Sequence, residues 1–240
     1  MHQVERAIIL AAGMGKRMQP ITKNVPKPLV RVNGRRMIDT VISGLQKNGI
    51  WEIYIVVGYL QEKFKCLENE YEGIKLIENP YYERCNNISS LYVAREHIKN
   101  AIILDGDQII LNDQVLSPEF EISGYNCVWT NKKTKEWILN LTNNRVSSCS
   151  RVGGNKGWQL FSISRWSEED GEKLKRHLEL EFEVKKNTQI YWDDVALFCF
   201  PEEYELGIRK MNFGDVIEVD DISELVELDN SYVSYINKEE

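Results

Sequence analysis

The chain has 240 residues, of which 42% are hydrophobic and 28% are charged, and its formal net charge is −7. This composition is ordinary for a globular protein with a sizeable core, and the acidic balance argues against a nucleic-acid partner. No apolar run approaches the ~20 residues of a membrane span, and the N-terminal residues lack the pattern of a signal peptide. We therefore expect a cytoplasmic protein with no nucleic-acid or membrane partner.

The five cysteines are scattered along the chain and show no Cys-x-x-Cys spacing. An odd number without such spacing predicts reduced thiols rather than a disulfide framework or a zinc site.

The first half of the chain alternates apolar runs with helical patterns. The apolar runs predict buried strands at residues 7–11, 53–58, 74–77 and 101–104, and helical spacing predicts helices at 37–45, 60–70 and 89–97. This alternation predicts an α/β fold with a Rossmann-like, mostly parallel sheet flanked by helices. Ligands of such sheets bind beyond the carboxyl ends of the strands, where Gly13, Gly58 and Asp107 fall.

After residue 113 the pattern changes to short β segments, at 127–130, 137–141, 145–147 and 157–164. Ser167 then opens a helix whose first turn is acidic, and a strand at 216–219 and a helix at 222–228 follow. No repeat or linker divides the chain. We predict a single domain in which residues 1–113 form the core, 114–215 form a β-rich insertion that acts as a lid, and 216–240 return to the core.

A glycine-rich loop follows the first strand. Gly13 and Gly15 are spaced for a sharp turn, and residues 16–36 carry seven Lys or Arg and no Asp or Glu, which suits a polyphosphate. A Walker A loop is excluded because Arg17 stands where Ser or Thr is needed, and a dinucleotide fingerprint is excluded because Met18 replaces its third glycine. Prolines at 20, 26 and 28 predict an extended loop.

The loop carries a longer motif, Gly-x-Gly-x-Arg-x-x-Pro-x-Thr-x-x-x-Pro-Lys, directly after Ile-Ile-Leu-Ala-Ala. It resembles the opening of the sugar-phosphate and choline-phosphate nucleotidyltransferases, which join a phosphorylated metabolite to a nucleoside triphosphate and release pyrophosphate. The resemblance implies that Arg17 and Lys27 act on the reacting phosphates. The other basic residues of the loop are interpreted as a solvated surface.

Asp107 follows a buried strand within Asp105-Gly106-Asp107. Carboxylate oxygens in this position suit Mg²⁺, although aspartate is also common in turns. The resemblance implies that Asp107 binds Mg²⁺ as the cofactor, together with a second carboxylate from Glu218 or Asp220. Which of these two binds the metal is open, and a solvated strand edge is the alternative for both.

The resemblance also implies a nucleotide site at the loop and the neighbouring strand ends. The implied nucleotide-binding residues are Ala11, Ala12, Gly13, Gly15, Lys16, Gly58, Asn87 and Ser89. The alternative for Asn87 and Ser89 is a structural role as a helix cap, since asparagine and serine before a helix are typical caps.

Two aromatic segments in the second half, Glu136-Trp137 and Tyr191-Trp192-Asp193, resemble lid segments of bacterial choline-phosphate cytidylyltransferases. A quaternary ammonium cannot donate hydrogen bonds and is recognised by aromatic faces beside a carboxylate. The resemblance therefore implies that these five residues bind the acceptor. Aromatic residues in β segments are more often part of a core.

Together these features predict a Mg²⁺-dependent cytidylyltransferase that joins CTP and phosphocholine to give CDP-choline and pyrophosphate. 2-Aminoethylphosphonate is the alternative acceptor; a sugar 1-phosphate acceptor or a nucleotide-sensing module without turnover is less favoured. The glycine-rich turn at 151–156 is interpreted either as a cover for the acceptor phosphate or as a surface turn.

Overall fold

The computed structural model describes residues 1–236, which form fifteen strands and six α-helices. The strands are β1 (His2–Gln3), β2 (Arg6–Ala11), β3 (Arg31–Val32), β4 (Arg35–Arg36), β5 (Glu52–Val57), β6 (Ile74–Glu78), β7 (Ala101–Asp105), β8 (Gln108–Ile110), β9 (Glu119–Phe120), β10 (Gly124–Thr130), β11 (Ile138–Thr142), β12 (Arg145–Ser150), β13 (Gly157–Trp166), β14 (Gly207–Lys210) and β15 (Val216–Glu218). The α-helices are α1 (Met37–Lys47), α2 (Lys65–Glu70), α3 (Ile88–Val93), α4 (Glu168–Glu179), α5 (Ile222–Leu228) and α6 (Val233–Ile236).

A nine-stranded sheet forms the centre of the molecule. Its main path runs β12, β11, β13, β7, β2, β5, β6, and β10 pairs with both β13 and β14. The four strands β7, β2, β5 and β6 are parallel to one another. The predicted α/β fold, with a parallel central sheet flanked by helices, is confirmed.

The apolar run of β2 is explained by burial on both faces of the sheet. Ile9 packs in one cluster with Ile38 and Ile42 of α1, whereas Ile8 packs in another with Leu91 of α3. Successive strand residues point to opposite faces, so a strand covered on both sides is apolar at nearly every position. Burying each such side chain contributes roughly 2 kcal/mol.

Strands β10 to β14 of the second half belong to this same sheet. β13 pairs antiparallel with β7, with Ile163 opposite Leu104. β10 and β11 in turn pair with β13. Ser167 then caps α4 by accepting a hydrogen bond from the Asp170 amide at 3.2 Å, as the sequence predicts. The role of residues 114–215 as a lid stays a prediction.

The loop after β2 is not extended as predicted. It forms three 3₁₀ turns, at Lys16–Met18, Ile21–Lys23 and Lys27–Leu29. Prolines fix φ near the value that such turns use and therefore fit them as well as an extended chain. The turns bring Lys27 back toward the end of β2.

The last strand, β15, pairs with β8 in a separate two-stranded ribbon rather than with the main sheet. The predicted return to the core spans residues 216–240, of which 237–240 lie outside the described residues. Over residues 1–236, no helix is both long and apolar enough to cross a membrane.

Candidate functional site

A cavity of about 260 Å³ lies beyond the carboxyl ends of β2 and β7, and we call it the acidic cavity. Ten of the residues predicted to form the site line it: Arg17, Lys27, Asn87, Asp107, Glu136, Trp137, Tyr191, Asp193, Glu218 and Asp220. Segments that are far apart in sequence thus meet at the edge of the sheet where the ligands of parallel strands bind.

Lys27 is the buried cation of this cavity. Its Nζ lies 2.6 Å from Asp107 Oδ2 and 3.1 Å from Asp220 Oδ1. Burial opposes the charge of Lys27, but the two carboxylates more than offset this effect and raise its pKa above the usual value. Lys27 therefore carries its positive charge throughout the neutral range.

Arg17 supplies a second positive charge at the rim. Its Nη2 lies 2.9 Å from Asp220 Oδ1, and 69% of its side chain is exposed. Asp220 therefore contacts both predicted phosphate-binding cations, while Arg17 remains free to turn toward a ligand in solvent.

The carboxylates fit the predicted magnesium site unequally. Asp107 and Asp220 converge on one cation, whereas Glu218 accepts a hydrogen bond from Gln108 Nε2 at 3.0 Å, and burial raises the pKa of Glu218 to about 7. No group of three or more His, Cys, Asp or Glu side chains within residues 1–236 could hold a metal. Magnesium bound to a nucleotide needs only one or two carboxylates, because phosphate oxygens and water complete its shell. The donor chemistry of Asp107 and Asp220 fits such an ion.

A second cavity of about 300 Å³, the loop cavity, is continuous with the first through Arg17, Lys27, Asp107 and Asp220. The predicted nucleotide-binding residues Ala11, Gly13, Gly15 and Lys16 line it. It is therefore bordered both by the glycine turn and by the charged residues of the acidic cavity.

Gly15 is required by the shape of this turn. It has φ +58°, and a Cβ there would lie 3.0 Å from Thr22 Cγ2 and 3.1 Å from Lys27 Cβ. The Thr22 hydroxyl also donates a hydrogen bond to the Gly15 carbonyl at 2.8 Å. The glycine thus allows the 3₁₀ turns to fold back over the end of β2.

A third cavity of about 410 Å³, the asparagine cavity, continues from Gly13, Gly15 and Lys16 toward the start of α3. Ala12, Asn87 and Ser89 also line it, as predicted for a nucleotide site. Asn87 borders this cavity and the acidic cavity, and its Oδ1 accepts a hydrogen bond from the Trp192 amide at 2.9 Å.

Two of the predicted nucleotide-binding residues, Ser89 and Gly58, make contacts within the protein that limit their access to a ligand. The Ser89 hydroxyl donates to the Asn86 carbonyl at 2.8 Å and accepts from Asn79 Nδ2 at 3.0 Å, so its hydrogen-bonding capacity is largely used. Gly58 is covered by the Tyr82 ring, which a Cβ on Gly58 would approach to 2.7 Å. Gly58 therefore does not line the asparagine cavity, and Tyr82 does so in its place.

The far end of the acidic cavity combines aromatic rings with carboxyl groups. The Trp137 and Tyr191 rings meet edge to face with their centroids 5.7 Å apart. Asp193 is buried beside them, and its Oδ1 has no hydrogen-bond partner of good geometry among the described residues. Burial, with a contribution from the charge of Asp194, raises the pKa of Asp193 to about 7.

Glu136 and Asp105 add two further carboxyl groups to the lining of the acidic cavity. Burial raises the pKa of Glu136, and the charge of Asp220 adds to this effect. Burial also raises the pKa of Asp105, with further contributions from Asp107 and Asp193. Such clustering favours a cationic ligand, because a positive charge would relieve the repulsion between the carboxylates.

Trp192 does not belong to this wall, contrary to the expectation of three rings around one ligand. It is 2% exposed and packs against the rings of Tyr125 and Trp166, at 6.1 Å from each. A turn in which the Asp194 amide bonds to the Tyr191 carbonyl at 3.1 Å sends alternate side chains to opposite sides. Trp192 thus faces the core, and the predicted cage is reduced to two rings.

Comparison with known proteins identifies the family. Residues 7–162 match the model of the MobA-like NTP transferase domain. The chain belongs to this family of nucleotidyltransferases. The resemblance read from the glycine loop is therefore confirmed.

Individual members of the family match over nearly the whole chain. The chain is 34% identical to a 2-aminoethylphosphonate cytidylyltransferase of Lancefieldella rimae, over 95% of this chain and 93% of that protein. It is 30% identical to the choline-phosphate cytidylyltransferase of Streptococcus pneumoniae, over 93% and 96%. A solved structure of CTP:phosphocholine cytidylyltransferase from Streptococcus pneumoniae aligns with a TM-score of 0.88 at 30% identity, covering 95% of this chain and 99% of that one.

Within this nucleotidyltransferase, sequence reasoning missed several residues that line the acidic cavity. Leu160 and Ser162 reach it from β13, and Val219 follows β15. The alternation of Leu160 and Ser162 could have indicated a shared face, but only the pairing of β13 with β7 brings that face to the cavity.

Proposed function

We propose that this chain is a cytidylyltransferase that joins CTP and phosphocholine, giving CDP-choline and pyrophosphate. The observation that carries the proposal is the edge-to-face pair of Trp137 and Tyr191 beside the buried carboxyl of Asp193, at one end of a cavity whose other end holds Lys27. A ligand that fits both ends has an apolar cation and an anion, as phosphocholine does.

The nucleotide would occupy the loop and asparagine cavities. The phosphates would lie along the glycine turn near Lys27 and Arg17, and the base would extend toward Asn87. Cytosine is proposed because the relatives named above are cytidylyltransferases. The continuous border from Asn87 to Lys27 suits a ligand with a base at one end and phosphates at the other.

The reaction needs positioning more than covalent chemistry. An oxygen of the acceptor phosphate attacks the α-phosphorus of CTP, the bond from that phosphorus to the bridging oxygen breaks, and pyrophosphate leaves. Lys27, held in a partly buried site, offsets the negative charge that builds up on the reacting phosphates, and Arg17 can do the same from the rim. Both side chains must then exchange contacts with Asp220 for contacts with phosphate.

Magnesium is part of the proposal. Asp107 and Asp220 would hold it, and when bound it neutralises phosphate charge and orients the triphosphate. Their convergence on Lys27 supports this assignment, whereas Glu218 accepts a hydrogen bond from Gln108 and is the weaker candidate.

The acceptor end supports recognition of a quaternary ammonium. Trp137 and Tyr191 offer aromatic surfaces that attract a cation without hydrogen bonds, worth up to ~2 kcal/mol when the contact is desolvated. A cation beside Asp193 would favour the ionised carboxylate and so gain a buried charge partner.

2-Aminoethylphosphonate is a second candidate acceptor. Asp105, Glu136 and Asp193 bring several carboxyl groups to the cavity, and these can accept hydrogen bonds from a primary ammonium. The relative from Lancefieldella rimae, which is named for this acceptor, supports the same candidate.

Phosphorus NMR tests the proposal by identifying the product. The purified protein is incubated with CTP, Mg²⁺ and either phosphocholine or 2-aminoethylphosphonate. We expect pyrophosphate together with two coupled diphosphate resonances from phosphocholine. A phosphonate-containing anhydride formed in preference would establish the second candidate, and CTP binding without pyrophosphate release from any acceptor would indicate a sensing module.

A further inference from the structure

An ion pair joins two segments that form the acceptor end of the acidic cavity. Arg151 Nη2, in the turn after β12, lies 2.6 Å from Asp194 Oδ1, in the turn that carries Tyr191 and Asp193. The Asp194 side chain is 4% exposed, and Oδ1 has no hydrogen bond of good geometry, so the contact is chiefly one of charge. A buried carboxylate of this kind depends on its cation.

The position of Arg151 is set by the glycine-rich turn at 151–156, whose backbone is anchored to a neighbouring segment. Thr134 and Gly154 exchange backbone hydrogen bonds of 2.9 and 3.1 Å. Gly153, with φ +76°, passes so close to the Thr134 carbonyl oxygen that a Cβ would lie 2.0 Å from it. The turn is therefore docked on the segment that leads into Trp137.

The Arg151 guanidinium also contacts aromatic rings of this wall. Its Cζ lies 3.8 Å from the centroid of the Phe198 ring and 5.8 Å from that of Trp137, and these two rings meet edge to face at 5.7 Å. A planar guanidinium packs well on aromatic faces, which a lysine ammonium does less well. Arg151 thus supports the ring that we assign to the acceptor.

Asp194 transmits this support to the other ring. Its Oδ2 accepts a hydrogen bond from the Tyr191 amide at 2.9 Å, and its own amide donates to the Tyr191 carbonyl at 3.1 Å. The turn that places Tyr191 and Asp193 on the cavity is therefore closed by a side chain whose other oxygen meets Arg151.

We propose that Arg151 is a positioning residue for the acceptor: by neutralising Asp194 it leaves the adjacent Asp193 as the carboxylate for the acceptor's cation, and it holds Trp137 and Tyr191 at their mutual angle. This inference rests on the proposed function for its substrate, but its structural part concerns only the turn and the two rings. Neither Arg151 nor Asp194 lines the loop cavity or the asparagine cavity, so we expect the effect to fall mainly on the acceptor.

Steady-state kinetics test the inference through separate KM values for the two substrates. We expect Arg151→Met to raise the KM for phosphocholine by about fivefold, the upper range for a partly exposed ion pair, and to leave the KM for CTP within about twofold. Arg151→Lys should recover part of the loss, because it restores the charge but not the ring contact. Arg145→Met, which changes an exposed arginine at the other end of β12, is the matched control and should change neither constant.

A double-mutant cycle tests the pairing itself. Asp194→Asn keeps an oxygen for the Tyr191 amide while removing the charge, and combined with Arg151→Met it should cost little more than either change alone. Additive effects of the two substitutions, or an equal rise in the KM for CTP, would overturn the inference.

Amide hydrogen exchange separates a failure of this inference from a failure of the proposed function. If no acceptor is turned over, the proposed function fails, but the turn is still testable in the wild-type chain and in Arg151→Met. We expect faster exchange at the Tyr191 amide in Arg151→Met and no change in Arg145→Met, at equal global stability measured by thermal unfolding. Unchanged exchange at Tyr191 would show that Arg151 does not hold the turn.

Discussion

Asp107 and Asp220 share one cation: the Lys27 ammonium lies 2.6 Å from the first carboxylate and 3.1 Å from the second. Asp107 follows β7 and Asp220 follows β15, so two strands of different sheets deliver their carboxylates to one point. This point borders both the acidic cavity and the loop cavity. It is where an acceptor phosphate and a nucleotide phosphate could be held together.

The first prediction concerns these carboxylates. Asp107→Ala and Asp220→Ala should each lower pyrophosphate release on the order of 10³-fold or more, because several kcal/mol of charge stabilisation in the transition state would depend on the metal that we propose they hold. The rates are measured at saturating Mg²⁺, with circular dichroism to verify the fold.

Asp113→Ala, a substitution outside the three cavities, is the control and should leave the rate nearly unchanged. Near-normal rates in a folded Asp107→Ala protein would remove Asp107 from the site. A larger loss in Glu218→Gln than in Asp220→Ala would move the second metal ligand to Glu218.

The second prediction concerns Lys27. Lys27→Ala should lower kcat/KM by ~10²-fold or more, the scale expected when a preorganised charge that stabilises the transition state is removed. Arg35→Ala lies in the same basic stretch but outside the cavities, and should change kcat/KM little. Similar small effects of both substitutions would mean that the basic stretch is only a solvated surface.

The third prediction is a pH dependence that arises from Asp193. The pKa of Asp193 is raised to about 7, so the carboxyl is neutral at pH 6 and ionised at pH 8. We expect the KM for phosphocholine to fall about tenfold from pH 6 to pH 8, as the charge partner of the ammonium appears. The acceptor phosphate also titrates near pH 6, so the same pH series is measured in Asp193→Asn. In this variant the KM should be high at both pH values and should lack the part of the pH dependence that comes from Asp193.

Ionisation of Asp193 should improve phosphocholine binding but lower the stability of the free protein. Between about pH 4 and pH 7 folded Asp193 retains a proton that the unfolded chain has lost, so the free energy of unfolding falls as the pH rises through this window. Urea unfolding without ligands should show a shallower fall in Asp193→Asn. Identical pH profiles in both proteins would mean that Asp193 has an ordinary pKa.

The fold and most of the site follow from local sequence patterns, since β2, β5 and β7 are apolar runs and Lys27 and Asp107 lie in recognisable motifs. The direction of Trp192 does not follow from a pattern. It depends on how the turn between Tyr191 and Asp194 packs against the core, and the resemblance to lid segments therefore implied a third ring on the cavity that the structure does not place there.

Local sequence patterns also do not predict contacts between segments that are far apart in the chain. The contact of Lys27 with Asp220 depends on the ribbon that β15 forms with β8, and the pairing of Arg151 with Asp194 depends on how a glycine turn docks at Thr134. Each requires the tertiary fold, because the partners lie on separate segments with no shared period.

The fourth prediction concerns Trp137. Trp137→Leu keeps an apolar side chain but removes the aromatic face, so it should weaken phosphocholine, with a loss of up to about 2 kcal/mol in kcat/KM, and affect 2-aminoethylphosphonate less. Trp129→Leu, a half-exposed tryptophan outside the acidic cavity, should leave both acceptors unchanged. An equal loss for both acceptors in Trp137→Leu would mean that the ring only shapes the wall.

The proposed acceptor is a phosphorylated quaternary amine, and a series of methylated amines tests this proposal. Pyrophosphate release from CTP is followed with phosphoethanolamine, its mono- and dimethyl derivatives, phosphocholine and 2-aminoethylphosphonate. We expect kcat/KM to rise with each methyl group, because each adds contact with Trp137 and Tyr191 and removes an N–H that the rings cannot satisfy. A preference for 2-aminoethylphosphonate, with kcat/KM falling as methyl groups are added, would contradict the claim.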